Sequence, residues 1–356
     1  MATALALQED VPLSPLSTLG VGGPARYLLR AEDAETVELG VRWAHEQRLP
    51  LFVLGGGSNV VFADTGFEGL VLHLALRGLA FGGDGTVEAA AGEPWDNLVA
   101  ATVGRGLAGL ECLSGIPGLV GATPIQNVGA YGQEVSETIT RVRALDVRTG
   151  QAVDFTDEEC GFGYRDSRFK QQDRGHYVIL GVTFALRPGG APALRYPELT
   201  RHLQGLGHPP SLAETRAAVI ELRRRKSMVI DPADPNRRSV GSFFMNPIVG
   251  HAVAEGVRAA LRGTGRPEEA ERLPAFPTGD GRVKLSAAWL IERAGVVRGY
   301  ARGAAGISSN HTLAIVNRGG ATAHEIAALA REVRDRVHDT FGVTLVPEPV
   351  LVGVEI

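Results

Sequence analysis

Two glycine-rich segments constrain this chain more than any other feature. The first is Leu54-Gly55-Gly56-Gly57-Ser58-Asn59-Val60, directly after the short apolar run Leu51 to Leu54. The second runs from Gly104 to Gly132, dense in glycine and with little periodicity. Consecutive glycines let a backbone turn so that successive N–H groups converge, and such a nest binds phosphate oxygens without a basic side chain. A structureless stretch as long as the second, inside a compact domain, points to function. The first loop is not a Walker loop, because no Lys-Ser/Thr follows, and it lacks the G-x-G-x-x-G spacing. Taken alone, such a glycine turn reads more readily as structure than as a site.

Around these loops the pattern is α+β. Asp33 to Gln47 predicts a helix with Val37, Val41 and Ala44 on one face and Asp33 as N-cap. Leu51 to Leu54 and Gly69 to Leu76 read as strands, and Pro94 to Leu107 as a helix with proline in its first turn. Arg141 to Val147 and Gln151 to Phe155 flank Thr149-Gly150, a hairpin signal. Tyr177 to Leu186 alternates, with Val178, Leu180, Val182, Phe184 and Leu186 on one face. Arg187 to Pro192 reads as a loop, and Arg187 to Pro210, rich in proline and glycine, is the best compositional boundary. Helices are expected from Ser211, with a Ser211/Glu214 capping box, to Lys226; from Ser286 to Ala294; and from Thr322, with a Thr322/Glu325 box, to Thr340. An apolar strand, Val343 to Val354, ends the chain.

Charge and cysteine usage narrow the class. The formal net charge of −4 supplies no global positive field for a nucleic-acid backbone, so nucleic acid is not an expected partner. Cys112 and Cys160 are far apart and not in a metal spacing, so they read as reduced thiols of a cytosolic protein, and no metal is expected. Met1 to Ser14 has no basic region and is interrupted by Gln8, Glu9 and Asp10, so no signal peptide is expected. No apolar run approaches the roughly 20 residues of a membrane span. Lysine occurs only at Lys170, Lys226 and Lys284, all within or beside the motifs below, which suggests a task that arginine would not serve.

The second glycine stretch contains Leu113-Ser114-Gly115-Ile116-Pro117-Gly118-Leu119-Val120-Gly121-Ala122 and then Gln126-Asn127-Val128-Gly129-Ala130-Tyr131-Gly132. Together with the first loop it resembles the FAD-binding halves of the flavoprotein superfamily that includes vanillyl-alcohol oxidase. Four further motifs narrow the resemblance: Phe162-Gly163-Tyr164-Arg165-Asp166-Ser167-Arg168-Phe169-Lys170, Gly241-Ser242-Phe243-Phe244-Met245-Asn246-Pro247, Val283-Lys284-Leu285-Ser286-Ala287-Ala288-Trp289-Leu290-Ile291 and Pro347-Glu348. In that order, over roughly Ser17 to Gly353, they resemble the UDP-N-acetylenolpyruvoylglucosamine reductase family. Arg195-Tyr196-Pro197-Glu198-Leu199 fits the family form with an inserted tyrosine-bearing loop over the substrate. Met245 departs from the pattern, standing where a lysine or other polar residue is often found. No charge contact is carried over to that position.

The resemblance implies an α+β fold with a two-part FAD-binding region of the vanillyl-alcohol-oxidase type and a C-terminal α+β substrate-binding domain. The implied divisions are 1–70, joined by a strand at about 346–356, then 71–212 for the second FAD part and 213–345 for substrate. Non-covalent FAD is expected on Gly55, Gly56, Gly57, Ser58, Asn59, Ser114, Gly115, Ile116, Pro117, Gly121, Ala122, Gln126, Asn127, Gly129 and Ala130. NADPH is the implied reductant, and a UDP-sugar the implied substrate, met by Tyr164, Tyr196, Arg223, Lys226, Asn246 and His311. The reaction is reduction of an enolpyruvyl group in cytoplasmic peptidoglycan precursor synthesis. Arg165 would face the substrate carboxylate, since its planar fork suits developing enolate charge. Glu348 would act as a protonated acid at the same group, which requires a raised pKa. Ser242 would protonate the carbanion-like carbon, basic enough for a hydroxyl to serve.

Two other classes compete. A flavin oxidase of the same superfamily often tethers FAD through a histidine near the phosphate loop, and Gly55 to Val60 holds none. A non-catalytic nucleotide-binding module would keep the glycine loops but has no need of Ser242 and Glu348.

Overall fold

Asp33 accepts a hydrogen bond from Thr36 N–H at 2.7 Å and starts the helix Ala34–Glu46, which buries Val37, Val41 and Ala44 as its spacing predicts. A computed structural model describes residues 5–356, so the first four residues of the leader reading lie outside it. The described chain forms two units, each assembled from separate segments: 5–11, 24–57 and 67–230 make the first, and 12–23, 58–66 and 231–356 the second. The segment Arg187 to Pro210 lies inside the first. Among the described residues no helix is long and apolar enough to cross a membrane.

The first unit holds two larger sheets beside two two-stranded pairs. One orders Gln8–Pro12, Pro24–Ala31, Phe67–Leu74 and Leu51–Leu54, the last three parallel. The crossover helix Ala34–Glu46 follows Pro24–Ala31, as a parallel pair requires. The other sheet is antiparallel, in the order Ala152–Thr156, Ile139–Asp146, Tyr177–Ala185, Thr86–Ala90, Leu79–Phe81. The predicted hairpin is present, with Val142 opposite Phe155. Tyr177–Ala185 is the central strand, so Ile179 and Thr183 are buried along with Val178, Val182 and Phe184. Alternation describes only one of its faces.

Three boundaries differ from expectation. The helix after Pro94 runs only over Trp95–Gly104, with Pro94 at its N-cap, because Gly106 turns left-handed at φ 69°. Leu107–Ala108 then pairs with Arg187–Pro188, so the expected loop begins as a short strand. Tyr196 is not a simple loop residue. It caps the helix Pro197–Leu203, which has proline in its first turn.

The second unit packs the helices His251–Gly263, Ala287–Arg293 and Ala323–Phe341 with two three-stranded sheets over a core that includes Phe243, Leu290, Ile326 and Val333. Fully burying a leucine or phenylalanine contributes about 1.5–3 kcal/mol. Ala323–Phe341 is capped twice. The predicted Thr322/Glu325 box is formed, and the Asp64 carboxylate accepts from Ala323 N–H at 2.7 Å and His324 N–H at 2.9 Å. The last strand is shorter than expected: only Val350–Val352 forms, parallel to Val60–Phe62. Pro349 has no N–H to give that ladder, and Pro347 instead bridges Phe244 antiparallel.

Candidate active site

The strand Leu51–Leu54 empties into Gly55-Gly56-Gly57, and Gly57 is left-handed at φ 63°. A Cβ on Gly56 would stand 3.0 Å from the Cα of Gly118, so the two glycine segments meet backbone to backbone. A Cβ on Gly121 would stand 2.6 Å from that of Ala91. These positions require glycine for close approach, and Gly121 N–H itself donates to the Ala91 carbonyl at 2.9 Å. Ile116 packs partly into the core, while Pro117 and Gln126 are half-buried and Ala122 is exposed.

Other members of the expected cofactor set are engaged within the fold. Ser114 is buried and donates to the Glu111 carbonyl at 2.6 Å. Gly115 N–H donates to Asp96 at 2.6 Å, and Asp96 is also clasped by both Arg216 nitrogens at 2.6 and 2.7 Å. Burial opposes the Asp96 charge, but the Arg216 fork and Gly115 N–H outweigh it and hold the carboxyl below its ordinary value. Asn127 is buried, and its amide nitrogen donates to Glu134 and to Gly163 carbonyl, each at 2.9 Å. Its Oδ1 accepts from Ser136 N–H at 3.2 Å. The Asn127 side chain therefore organises the loop.

Arg165 sits on a tight turn closed by Gly163 N–H to Asp166 O at 3.0 Å and Asp166 N–H to Gly163 O at 3.2 Å. Its φ is 54°, a left-handed value that costs an L-residue about 1–2 kcal/mol. Its guanidinium donates to the Asn127 carbonyl at 3.4 Å and to the Gly129 carbonyl, and lies 5.3 Å from the Tyr164 ring. A Cβ on Gly129 would come within 2.9 Å of an Arg165 nitrogen. The fold thus joins Arg165, Asn127 and Gly129, which the sequence assigned to different tasks. Ala130, next to Gly129, pairs with Gln133 across a two-residue turn. Tyr131 and Gly132 in that turn both have positive φ, 49° and 78°.

A third cluster surrounds Tyr131. Its ring meets Tyr196 edge-on at 5.4 Å, and the Lys226 ammonium is 5.8 Å from its centroid. Lys226 donates to Glu198 at 2.6 Å, and Tyr196 is 41% exposed. Burial pushes the Tyr131 phenol up to about 12. Arg223 donates to the Met228 carbonyl at 2.6 Å, while its Nε is enclosed without a partner. Desolvation lowers this guanidinium to about 10, still a cation at neutral pH. Tyr196, Arg223 and Lys226 therefore gather around Tyr131. Tyr131 and Glu198 complete the cluster. Both lie within quoted motifs, yet only the tertiary contact marks them.

The second unit contains Ser58, Asn59, Ser242, Asn246, His311 and Glu348. Phe243 is its hub: its N–H donates to Leu313 O at 2.8 Å and its carbonyl accepts from Glu348 N–H at 2.9 Å. Ser242 and Glu348 therefore stand on adjoining backbones, both half-buried. Asn59 reaches the Glu348 carbonyl at 3.4 Å and accepts from Val350 N–H at 2.9 Å. His311 begins the turn that leads to Leu313, and its carbonyl takes Ala314 N–H at 3.1 Å. Asn246 Oδ1 accepts from Ala287 N–H at 2.9 Å, capping a helix whose other cap is Ser286.

Known proteins fit this arrangement. Residues 25–156 match the FAD binding domain model, and residues 232–352 the model described as UDP-N-acetylenolpyruvoylglucosamine reductase, C-terminal domain. The UDP-N-acetylenolpyruvoylglucosamine reductase of Streptomyces coelicolor is 51% identical over 349 residues, covering 97% of this chain and 90% of the relative. The chain belongs to the UDP-N-acetylenolpyruvoylglucosamine reductase family. The reductase of Saccharopolyspora erythraea is 53% identical, covering 96% of this chain and 94% of its own. The crystal structure of UDP-N-acetylenolpyruvylglucosamine reductase from Thermus caldophilus aligns with TM-score 0.66 at 26% identity, over 98% of this chain and 99% of that one. As a UDP-N-acetylenolpyruvoylglucosamine reductase family member, the chain is an FAD-containing oxidoreductase with the expected α+β fold.

Proposed function

We propose that this chain reduces the enolpyruvyl group of UDP-N-acetylglucosamine enolpyruvate to give UDP-N-acetylmuramate, with NADPH as reductant, in cytoplasmic peptidoglycan precursor synthesis. The observation that carries the reading is identity near one half, over almost the whole chain, with relatives of that name. The glycine segments at Gly55 to Asn59 and Ser114 to Ala130 would hold FAD, mainly through backbone. The segments 1–70 with 346–356, and 71–212, would form the two cofactor parts, and 213–345 the substrate domain. Val350–Val352 pairs with Val60–Phe62 of the 1–70 segment, both lying within the second unit.

FAD held by these segments would supply the hydride-transfer chemistry between NADPH and the terminal carbon of the enolpyruvyl double bond. Negative charge then builds on the neighbouring carbon and spreads into the substrate carboxylate. In this reading the Arg165 fork, with Tyr164 beside it, holds that carboxylate and stabilises the charge. Glu348, protonated, donates a hydrogen bond to the same group, since an ionised carboxylate there would oppose it. Ser242 gives its proton to the carbanion-like carbon and regains one from solvent. Lys226, Tyr196 and Arg223 bind the diphosphate, Asn246 and His311 contact the remainder of the substrate, and this remote binding energy positions the reacting group.

Ser242→Ala tests the assignment. Flavin reduction by NADPH should continue near the wild-type rate, because no proton is donated to substrate in that half-reaction. Reoxidation by the enolpyruvyl sugar should slow by about 10²- to 10⁴-fold. Stopped-flow flavin absorbance separates the two. Equal slowing of both halves would remove Ser242 from the proton-transfer role.

A further inference from the structure

We propose that Lys170 is a positioning residue for the Arg165 fork. The inference rests on the reading that Arg165 binds the substrate carboxylate. Lys170 Nζ donates to the Arg165 carbonyl at 2.7 Å. That peptide belongs to the residue held at φ 54°. A left-handed arginine keeps its conformation only where its surroundings over-determine it, and such strain gathers at functional sites. Asn127 supplies the base of the support through Gly163 carbonyl at 2.9 Å, and Lys170 supplies the tip.

The Lys170 backbone is itself fixed. Its N–H donates to Ser167 O at 3.1 Å, and buried Ser167 donates through Oγ to the Ile125 carbonyl at 2.5 Å. Phe169, one residue earlier, is buried edge-on to Phe155 at 5.3 Å and to Tyr177 at 6.2 Å. The ammonium therefore reaches the Arg165 carbonyl from a fixed base.

The test compares two ligands that differ in the carboxylate. UDP-N-acetylmuramate carries it and UDP-N-acetylglucosamine does not. For Lys170→Met in the FAD-loaded protein, affinity for UDP-N-acetylmuramate should fall about tenfold or more. Affinity for UDP-N-acetylglucosamine should stay at the wild-type value. Reoxidation by the enolpyruvyl sugar should slow about 10- to 100-fold, with flavin reduction by NADPH unchanged. Lys170→Arg keeps a charged donor and should recover part of the loss. If Lys170→Met does not fold, Lys170→Arg carries the comparison alone, with a smaller but still carboxylate-selective loss expected. Equal weakening of both ligands, or wild-type selectivity and turnover, would overturn the role. Wild-type protein that cannot oxidise NADPH with the enolpyruvyl sugar would instead sink the functional reading and this inference with it. Wild-type turnover with an insensitive Lys170 variant sinks only the inference.

Discussion

Left-handed backbone at Asn127, Tyr131 and Arg165, with φ of 42°, 49° and 54°, gathers in the loops 126–132 and 162–170. Each is held by long-range contacts, such as Asn127 on Gly163 and Tyr131 against Tyr196. The two cysteines illustrate the opposite case, side chains buried without a site. Burial pushes both Cys112 and Cys160 thiols up to about 12, so at pH 8 they are protonated and poorly nucleophilic. Neither should react with a thiol-directed alkylating reagent in the folded protein, and both should react after denaturation. Mass spectrometry would count the adducts, and labelling of either in native protein would contradict the described burial. At this scale the expectation for Arg165, Ser242 and Glu348 was available from the sequence because each sits in a contiguous motif. The commitment of Asn127, Ser114 and Gly115 N–H to the fold was not. Their partners Gly163, Glu111 and Asp96 are chosen by tertiary structure.

Among the elements, four helices with side-chain caps were read to within a residue, because Asp33, Ser211, Ser286 and Thr322 announce them locally, whereas the short helix Asp157–Cys160 went unread despite its Thr156/Glu159 box. The helix His251–Gly263 went unread. Its N-cap is Gly250, which has no side chain to signal a start, and Gly256 interrupts its interior. Pro197–Leu203 was passed over although Pro197, Glu198 and the basic last turn are helix signals in order. The contribution of caps is measurable in the helix Ala323–Phe341. Thr322→Ala should cost about 1 kcal/mol, seen as a lower denaturant midpoint with unchanged slope. Asp64→Ala removes the acceptor of two further N–H groups and should cost at least as much, since a carboxylate also favours the positive helix end. A neutral Asp64→Ala would show that water serves those N–H groups equally well.

For the whole molecule, the chain passes between its two units after residues 11, 23, 57, 66 and 230. None of these points coincides with a composition change, because each short segment is completed by residues distant in sequence. Ser58–Gly66 joins the second unit through Val60–Phe62 pairing with Val350–Val352 and through Asp64 at the Ala323 helix. Reading such an arrangement requires knowing the pairing, and the family resemblance supplied what local pattern lacked. The central claim is that one FAD carries hydride from NADPH to an enolpyruvyl UDP-sugar. Anaerobic titration of the purified protein tests it most directly. NADPH should bleach the oxidised-flavin absorbance, and UDP-N-acetylglucosamine enolpyruvate should then restore it, one equivalent of UDP-N-acetylmuramate appearing per flavin, with the flavin released on denaturation. Bleaching that only oxygen reverses, or flavin that stays attached to the denatured chain, would contradict the account and favour an oxidase.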